Sequence, residues 1–328
     1  MSALPEFAQL VAPISEAQPS GENLEDSPLL ASFDAFRVFG HSVPPDPPPD
    51  WRTIRTEAAA ALAKSKDVRL LAHLGAAALR TDGLAAFLET LTVAATWLEQ
   101  SWATTFPLVE EDAILRRNAL NCFSDQVAVI DGVRRAPLVA TREHGRIGLR
   151  DVEMATGLVA VGEGDTPPDT GRVAAAFASL SVDDLRGLMQ SVEAAGAAVK
   201  AIDAKMRAEA GIEAAPTFDP LAAQFTKITK TLRGYLAERG EAVEGLDQEE
   251  GGGASAGGVL GAVRSRQDAV RALDAVADFF RKTEPSSPVP FFLDRAKRLV
   301  AKDFIAVLED VAPGSLSQAR EAVGLRDQ

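Results

Sequence analysis

The chain has 328 residues, of which 46% are hydrophobic and 25% charged, a profile typical of a folded globular protein with two or three domains. Its 47 acidic and 34 basic residues give a formal net charge of -13, which disfavours binding to nucleic acid or to an anionic membrane surface. A single cysteine, no signal-peptide pattern and no apolar run of ~18 residues together predict a cytoplasmic protein without internal disulfides. Since Ala and Leu dominate the apolar residues, we expect helices.

The first part of the chain carries the start and stop signals of helices. An arm from Ala12 to Leu24 is rich in turn formers, and a short helix is predicted from Pro28 to Phe39. The run from Pro44 to Pro49 predicts polyproline geometry. It ends at Asp50, which can cap a helix from Trp51 to Ser65.

Further helices complete a predicted N-terminal bundle. Asp67 can cap a helix that ends at Arg80. The next helix, Leu84 to Trp102, carries one continuous apolar stripe, so we expect another helix to pack against it. Two short helices and a small β-hairpin are predicted to follow, at residues 116–123, 125–133 and 137–152.

A helical hairpin is predicted in the middle of the chain. The stretch 162–169 has the composition of a loop. Ser181 and Asp184 resemble a capping box at the start of a long amphipathic helix that ends near Gly211. Asp219-Pro220 then starts the second helix of the pair in the order of cap followed by proline.

An abrupt change of composition marks the clearest domain boundary. Residues 241–261 are acidic and then glycine-rich, with too little apolar area to offset the cost of ordering, which predicts a flexible linker. Beyond it we predict a helix from Ser265 to Lys282, a rigid connector at 284–290 and a helix to about Val300. The predicted fold is all-α, with an N-terminal helical bundle (1–160), a middle helical hairpin (161–240), the flexible linker (241–261) and a small C-terminal helical domain (262–328).

Several short motifs resemble those of enzymes or ligand-binding sites, but they lack the structural surroundings that such sites require. Residues 253–257 match the G-x-S-x-G pattern of serine hydrolases, with Ser255 as nucleophile, but no strand precedes them and a glycine linker produces the same string. The glycine runs lack the lysine and hydroxyl of a phosphate-binding loop. His41, His73 and His144 have no spacing that would assemble a zinc site. We therefore expect no enzyme activity, cofactor or metal, with a hydrolase using Ser255 as an alternative.

The candidate contact residues lie in the C-terminal region. A short domain has little room to bury four phenylalanines, and interfaces favour aromatic anchors, although the same side chains could form the core of the domain. The basic residues there suggest complementarity to another protomer or to an acidic partner, or are solvated helix faces. The candidate oligomer or partner contacts are Arg264, Arg266, Phe279, Phe280, Phe291, Phe292, Arg295 and Arg298.

Two blocks of this sequence resemble a known family. Residues 12–24, 50–55 and 65–69 resemble the ImpA N-terminal domain of TssA proteins from bacterial type VI secretion systems. The block from Arg264 to Phe304 is similar to the short TssA class. Between the blocks, residues 162–258 match only in helix content and position.

The resemblance implies a baseplate-associated scaffold that multimerises through its C-terminal region. Its expected partners are further copies of itself in a ring-like oligomer, baseplate subunits, the contractile sheath and the tail tube, at the cytoplasmic side of the apparatus. Two helical units joined by a flexible linker suit such assembly, because a tether makes the second contact intramolecular. A soluble adaptor or chaperone for secreted effectors shares these helical features and is the other alternative.

Overall fold

The fold is mostly helical and divides into two units, one ending at Asp247 and one starting at Gln248. The computed structural model describes residues 5–109, 113–162, 166, 168–240, 273–274, 276–278, 280–281 and 287–300. The predicted linker, the G-x-S-x-G string and part of the predicted loop at 162–169 lie outside these residues. No helix in the described ranges is both long enough and apolar enough to cross a bilayer.

The first unit contains helices α1 to α11 and one β-hairpin. Its α-helices are α1 (Pro5–Val11), α2 (Pro28–Asp34), α3 (Trp51–Leu62), α4 (Val68–Thr81), α5 (Leu84–Gln100), α6 (Ile114–Asn121), α7 (Asp131–Arg135), α8 (Leu149–Ala155), α9 (Thr170–Ala178), α10 (Val182–Ala210) and α11 (Asp219–Glu238). Short 3₁₀ turns lie at Cys122–Ser124 and Ile212–Ala214, and a π-helical turn at Gln126–Ile130. The antiparallel hairpin pairs β1 (Pro137–Thr141) with β2 (Gly145–Gly148), which confirms the predicted hairpin.

Local capping signals place most helix starts correctly. The side chains of Asp50, Asp67 and Ser181 each accept a hydrogen bond from a backbone N–H in the first turn of the helix that follows. The start of α11 differs from the prediction, because Phe218 occupies the N-cap and Asp219 is the first helical residue. Phe218 is buried, so its packing in the core fixes this helix start.

Helix α5 lies at the centre of the core of the first unit. The sequence predicts a single apolar stripe on it, but residues between the stripe positions, such as Ala86, Val93 and Trp97, are buried as well. Helix α4 packs along α5, and so do α10 and α1, which gives it more than one covered side. The predicted bundle and the predicted middle hairpin therefore share one hydrophobic core. The domain limits themselves stay predictions.

The segment between α2 and α3 departs from its prediction. The helix predicted from Pro28 to Phe39 ends at Asp34, and the chain turns at Arg37, whose φ is 49°. This turn lets the rings of Phe33 and Phe39 both contact His73 on α4. The proline run is not a continuous polyproline helix, since the chain bends within it at 46–47.

Three other helical predictions need correction. Helix α1 has no counterpart in the sequence prediction. Helix α3 ends at Leu62 and not at Ser65, because the next residues pair with the arm. The helix predicted at 125–133 begins as a π-helical turn, where the Asp125 carboxylate accepts hydrogen bonds from two backbone N–H groups.

The second unit is described in part. Residues 273–274, 276–278 and 280–281 are helical, and a further helix, α12, spans Val289–Val300. The Ser287 hydroxyl accepts a hydrogen bond from the Val289 N–H at 3.4 Å. The helix predicted to end at about Val300 is therefore confirmed.

Candidate functional site

The N-terminal arm joins the bundle at a junction built from residues that carry the family resemblance. Gly21 and Ser65 form an antiparallel bridge, and the Ser20 carbonyl accepts a hydrogen bond from the Lys66 N–H at 2.8 Å. On the other side, the Phe106 N–H donates to the Lys66 carbonyl at 3.0 Å. The segment between α3 and α4 thus lies between the arm and the turn that follows α5.

An arginine ties the arm to the start of α4. The buried Asp67 carboxylate binds Arg69, with Oδ2 and Nη2 2.7 Å apart. The same Nη2 lies 2.7 Å from Oε2 of Glu25, the residue that directly follows the arm. Burial acts to lower the pKa of Arg69, but its hydrogen bonds to Asp67 and Glu25 outweigh that effect and raise the pKa. The arm is therefore held to the bundle by ionic contacts as well as by backbone bonds.

Two side chains bind the end of α1, where carbonyl groups have no further helical partner. Lys66 Nζ donates to the Val11 carbonyl at 3.0 Å, and Trp97 Nε1 donates to the Leu10 carbonyl at 2.7 Å. Burial lowers the pKa of Lys66. No sequence pattern predicts these contacts, because they join residues that are more than fifty positions apart.

Gly21 occupies the point in the arm where only glycine fits. Its φ is +73°, and a Cβ at this position would lie 2.0 Å from the Lys64 carbonyl oxygen. We expect Gly21→Ala to lower the free energy of unfolding by about 1–3 kcal/mol and to speed protease cleavage of the arm. Gly157 is a matched control, since it has φ +72° with no atom close enough to clash. Equal effects of the two alanine substitutions would show that the close approach to Lys64 is unimportant.

A groove of about 300 Å³ lies between α1, the arm and α3. Its lining residues are Phe7, Gln9, Leu10, Ala12, Pro13, Ile14, Arg55, Ala59, Leu62, Ala63 and Leu74. Arg55 is the one ionisable side chain among them, and it pairs with Asp82. This lining suits an apolar side chain, and it offers no nucleophile and no acid–base pair.

Ion pairs determine which side of α12 faces the preceding helical residues. Asp294 binds Arg281 Nη2 at 2.7 Å and Lys297 Nζ at 3.1 Å, and Lys297 also pairs with Asp274. Hydrogen bonds from Lys297 and Arg281 lower the pKa of Asp294. Residues 294 and 297 therefore mark the inner side of α12.

The opposite side of α12 brings together three of the predicted contact residues. At about 100° per helical residue, Phe292 and Arg295 point away from the inner side and Phe291 lies on its flank. Phe291 is 78% exposed and Phe292 is 68% exposed. Phe280 and Arg295 are half-buried. The other predicted contacts cannot be placed on this surface, because Arg264, Arg266, Phe279 and the side chain of Arg298 lie outside the described residues.

The histidines and the cysteine occupy separate places in the first unit. His73 Nδ1 lies 2.9 Å from the Arg69 carbonyl oxygen, and burial lowers the pKa of this imidazole. Burial raises the pKa of the Cys122 thiol to about 12. His41 lies in the loop after α2, and His144 lies in the turn of the hairpin. Within the described ranges, no group of three or more His, Cys, Asp or Glu side chains is placed to hold a metal ion.

Comparisons with known proteins give a consistent relationship. Residues 11–125 match the family model for the N-terminal region of ImpA of the type VI secretion system. The chain is 28% identical over 331 residues to the type VI secretion system component TssA1 of Pseudomonas aeruginosa, covering 94% of this chain and 95% of that protein.

A solved structure shares the fold. It is the N-terminal domain, including the conserved ImpA_N region, of the TssA component of the type VI secretion system from Burkholderia cenocepacia. The TM-score is 0.57 at 23% identity, and the match covers 74% of this chain and 98% of that one.

The two sequence matches confirm the resemblance predicted from the sequence. The three stretches of the N-terminal block, at 12–24, 50–55 and 65–69, all fall inside the matched range of the family model. The similarity to TssA1 continues through nearly the whole chain. Residues 11–125 therefore match the ImpA N-terminal region of the type VI secretion system, and over nearly its whole length the chain is similar to a TssA component of that system.

Proposed function

We propose that this chain is a cytoplasmic structural scaffold of the secretion apparatus, of the short TssA class, and not an enzyme. In this proposal the second unit multimerises into a ring-like oligomer, and the first unit docks onto baseplate, sheath or tube subunits. The relationship to TssA components supports the assignment to the secretion system.

The observation that carries the proposed multimerisation is the exposed pair Phe291 and Phe292. Large aromatic side chains in water leave apolar area unburied, and aromatic anchors are enriched where proteins associate. Arg295 lies on the same side of α12, and arginine is also favoured in interfaces. Asp294 and Lys297 form their ion pairs on the inner side of α12, whereas Phe291 and Phe292 are exposed outside it. Self-contacts of this kind usually close into symmetric rings.

We expect Phe292→Asp in the full chain to dissociate the oligomer, because a carboxylate would be buried in an apolar contact. Light scattering after size-exclusion chromatography measures the mass, and circular dichroism checks the fold. Leu158→Asp is the matched control, since Leu158 is 67% exposed in the first unit. An unchanged oligomer mass for Phe292→Asp contradicts the proposal. Loss of helix signal would instead assign Phe292 to the core of the second unit.

A further inference from the structure

A proline-rich segment between α2 and α3 is exposed on the first unit. We call residues 42–49 the proline loop, and five of its eight residues are proline. Pro44, Pro47 and Pro48 are exposed, and Val43 is 69% exposed. Because these apolar groups follow one another along the chain, the proline loop presents a mainly apolar surface to solvent.

The two ends of the proline loop are fixed on the same side of α4. The ring centres of Phe39 and His73 lie 4.8 Å apart, and the Arg80 guanidinium lies 5.2 Å from the centre of the Trp51 ring. His73 and Arg80 are seven positions apart, which is two helical turns or about 10 Å along α4. The segment 40–50 could span more than ~30 Å if it were extended. The chain between the two anchors therefore loops outward, in agreement with its exposure.

Hydrogen bonds hold the residues that flank the proline loop and leave the loop itself unbonded. The Gly40 N–H donates to the Asp125 carboxylate at 2.8 Å. At the other end, the Asp50 carboxylate accepts hydrogen bonds from the Thr53 N–H at 3.2 Å and from the Thr53 hydroxyl at 2.8 Å. Within the part of the chain that the structure describes, residues 42–49 form no hydrogen bond. The carbonyl groups of the proline loop are therefore available to donors on a partner.

Binding of the proline loop to a partner costs little conformational entropy. Each proline ring fixes its own φ and has no rotamers to lose when it is buried. A surface of this kind keeps more of its contact energy as affinity than a flexible loop does. Grooves lined with aromatic side chains bind proline-rich segments and exploit this low entropic cost.

We propose that the proline loop is the docking element of the first unit, and that it binds a groove lined with Trp or Tyr side chains on another subunit of the apparatus. Val43 and Pro48, on either side of the bend at 46–47, pack against the aromatic rings in this arrangement. Trp N–H or Tyr O–H groups donate to the carbonyl groups of the loop. The inference rests on the proposed scaffold function, because it supplies the contact by which the first unit docks.

The test measures binding of the full chain to the baseplate, sheath and tube subunits of the same secretion system, each purified singly. We expect Val43→Ser with Pro48→Ser to weaken binding to one of these subunits at least about tenfold, or ~1.4 kcal/mol, as read by biolayer interferometry. Leu158→Ser with Pro220→Ser is the matched control, because it also replaces one exposed aliphatic side chain and one exposed proline of the first unit. The control variant should bind as the unmodified chain does.

A second measurement tests the aromatic character of the groove. The subunit that binds is labelled with fluorotryptophan and fluorotyrosine, and its fluorine NMR spectrum is recorded with and without the unlabelled full chain. We expect the unmodified chain to shift resonances of the labelled rings, and Val43→Ser with Pro48→Ser to abolish these shifts. Unshifted resonances in a complex that forms would contradict an aromatic groove.

The outcomes separate this inference from the proposed function. If none of the subunits binds the unmodified chain, the proposed docking of the first unit is wrong and the inference is wrong with it. If a subunit binds the loop variant and the control variant equally, docking stands and only the role of the proline loop is overturned. A lower oligomer mass for the loop variant would make the loop a contact between copies of this chain, and a loss of helix signal by circular dichroism would make it a structural element. Either result also overturns the inference.

Discussion

Replacement of Arg116 by methionine should destabilise the first unit by about 3–5 kcal/mol. Arg116 is 1% exposed and binds backbone carbonyls, with Nε 2.8 Å from Pro107 O, Nη1 3.1 Å from Trp102 O and Nη2 bonded to Thr105 O. Its guanidinium also lies 4.5 Å from the centre of the Trp102 ring. Methionine fills similar volume but leaves these carbonyls without their donor, and burial prevents water from replacing it fully.

Replacement of Arg116 should also loosen the arm, because the segment 102–107, whose carbonyls Arg116 binds, contacts the arm directly. The Ser20 and Thr104 hydroxyls lie 2.8 Å apart, and Phe106 pairs with Lys66 at the junction. Burial lowers the pKa of Arg116 to about 10, so the side chain stays charged at neutral pH. We therefore expect Arg116→Met to increase protease cleavage of the arm as well as to lower stability.

Urea unfolding of the full chain measures the effect of Arg116, and two variants serve as controls. Arg117→Met, one position along α6, removes a single bond to the Glu213 carbonyl and should cost less than about 1 kcal/mol. Arg116→Lys keeps the charge but cannot reach three carbonyls in one plane, so its cost should lie between those of the two methionine variants. If Arg116→Met unfolds within about 0.5 kcal/mol of the unmodified chain, the three bonds are not important for stability.

Local signals predicted the parts of this fold that depend on neighbouring residues. The caps at Asp50, Asp67 and Ser181 and the β-hairpin are examples, because each needs only a few adjacent side chains. Arg116 shows the limit of such signals. The sequence places it at the start of a helix, where arginine is usually solvated, and its burial depends on carbonyls from a different segment.

The surfaces illustrate the same limit. The sequence selects Phe291 and Phe292 as candidate contacts, but which side of α12 they occupy follows from the pairing of Asp294 and Lys297 with the preceding helical residues. Likewise, the second covered side of α5 follows from its packing against α10.

Among the buried charged side chains, we expect replacement of Glu153 to cost the most stability after replacement of Arg116. Glu153→Gln should lower the free energy of unfolding by about 2–3 kcal/mol at neutral pH. Glu153 is 4% exposed on α8 and binds Arg134 Nη2 at 2.6 Å and Lys227 Nζ at 2.8 Å. It therefore links α7 and α8 to α11. Breaking a fully buried pair costs about 3–5 kcal/mol, and we expect less here because the side chain of Lys227 is 50% exposed.

The loss of stability caused by Glu153→Gln should depend on pH. Burial acts to raise the pKa of Glu153, but hydrogen bonds from Lys227 and Arg134 outweigh it and lower the pKa below its ordinary value of 4.5. As the pH falls, the unfolded chain takes up this proton first, so the stabilisation is complete well above pH 4.5 and is lost as the pH falls through the pKa of the folded state. The stability difference between the unmodified chain and Glu153→Gln should therefore be largest near neutral pH and shrink in acid.

Urea unfolding at a series of pH values separates the role of Glu153 from general acid destabilisation. The lowered pKa of His73 also makes the fold less stable in acid, but His73 is present in both proteins and its effect cancels in the difference. Asp203→Asn is the matched control, because it breaks a surface pair with Arg207 and should cost less than about 0.5 kcal/mol. A difference for Glu153→Gln that is independent of pH would mean that the glutamine perturbs packing. If the stability difference shrinks below pH 4.5, the stabilisation by Glu153 comes from the ionic bonds that join α8 to α11.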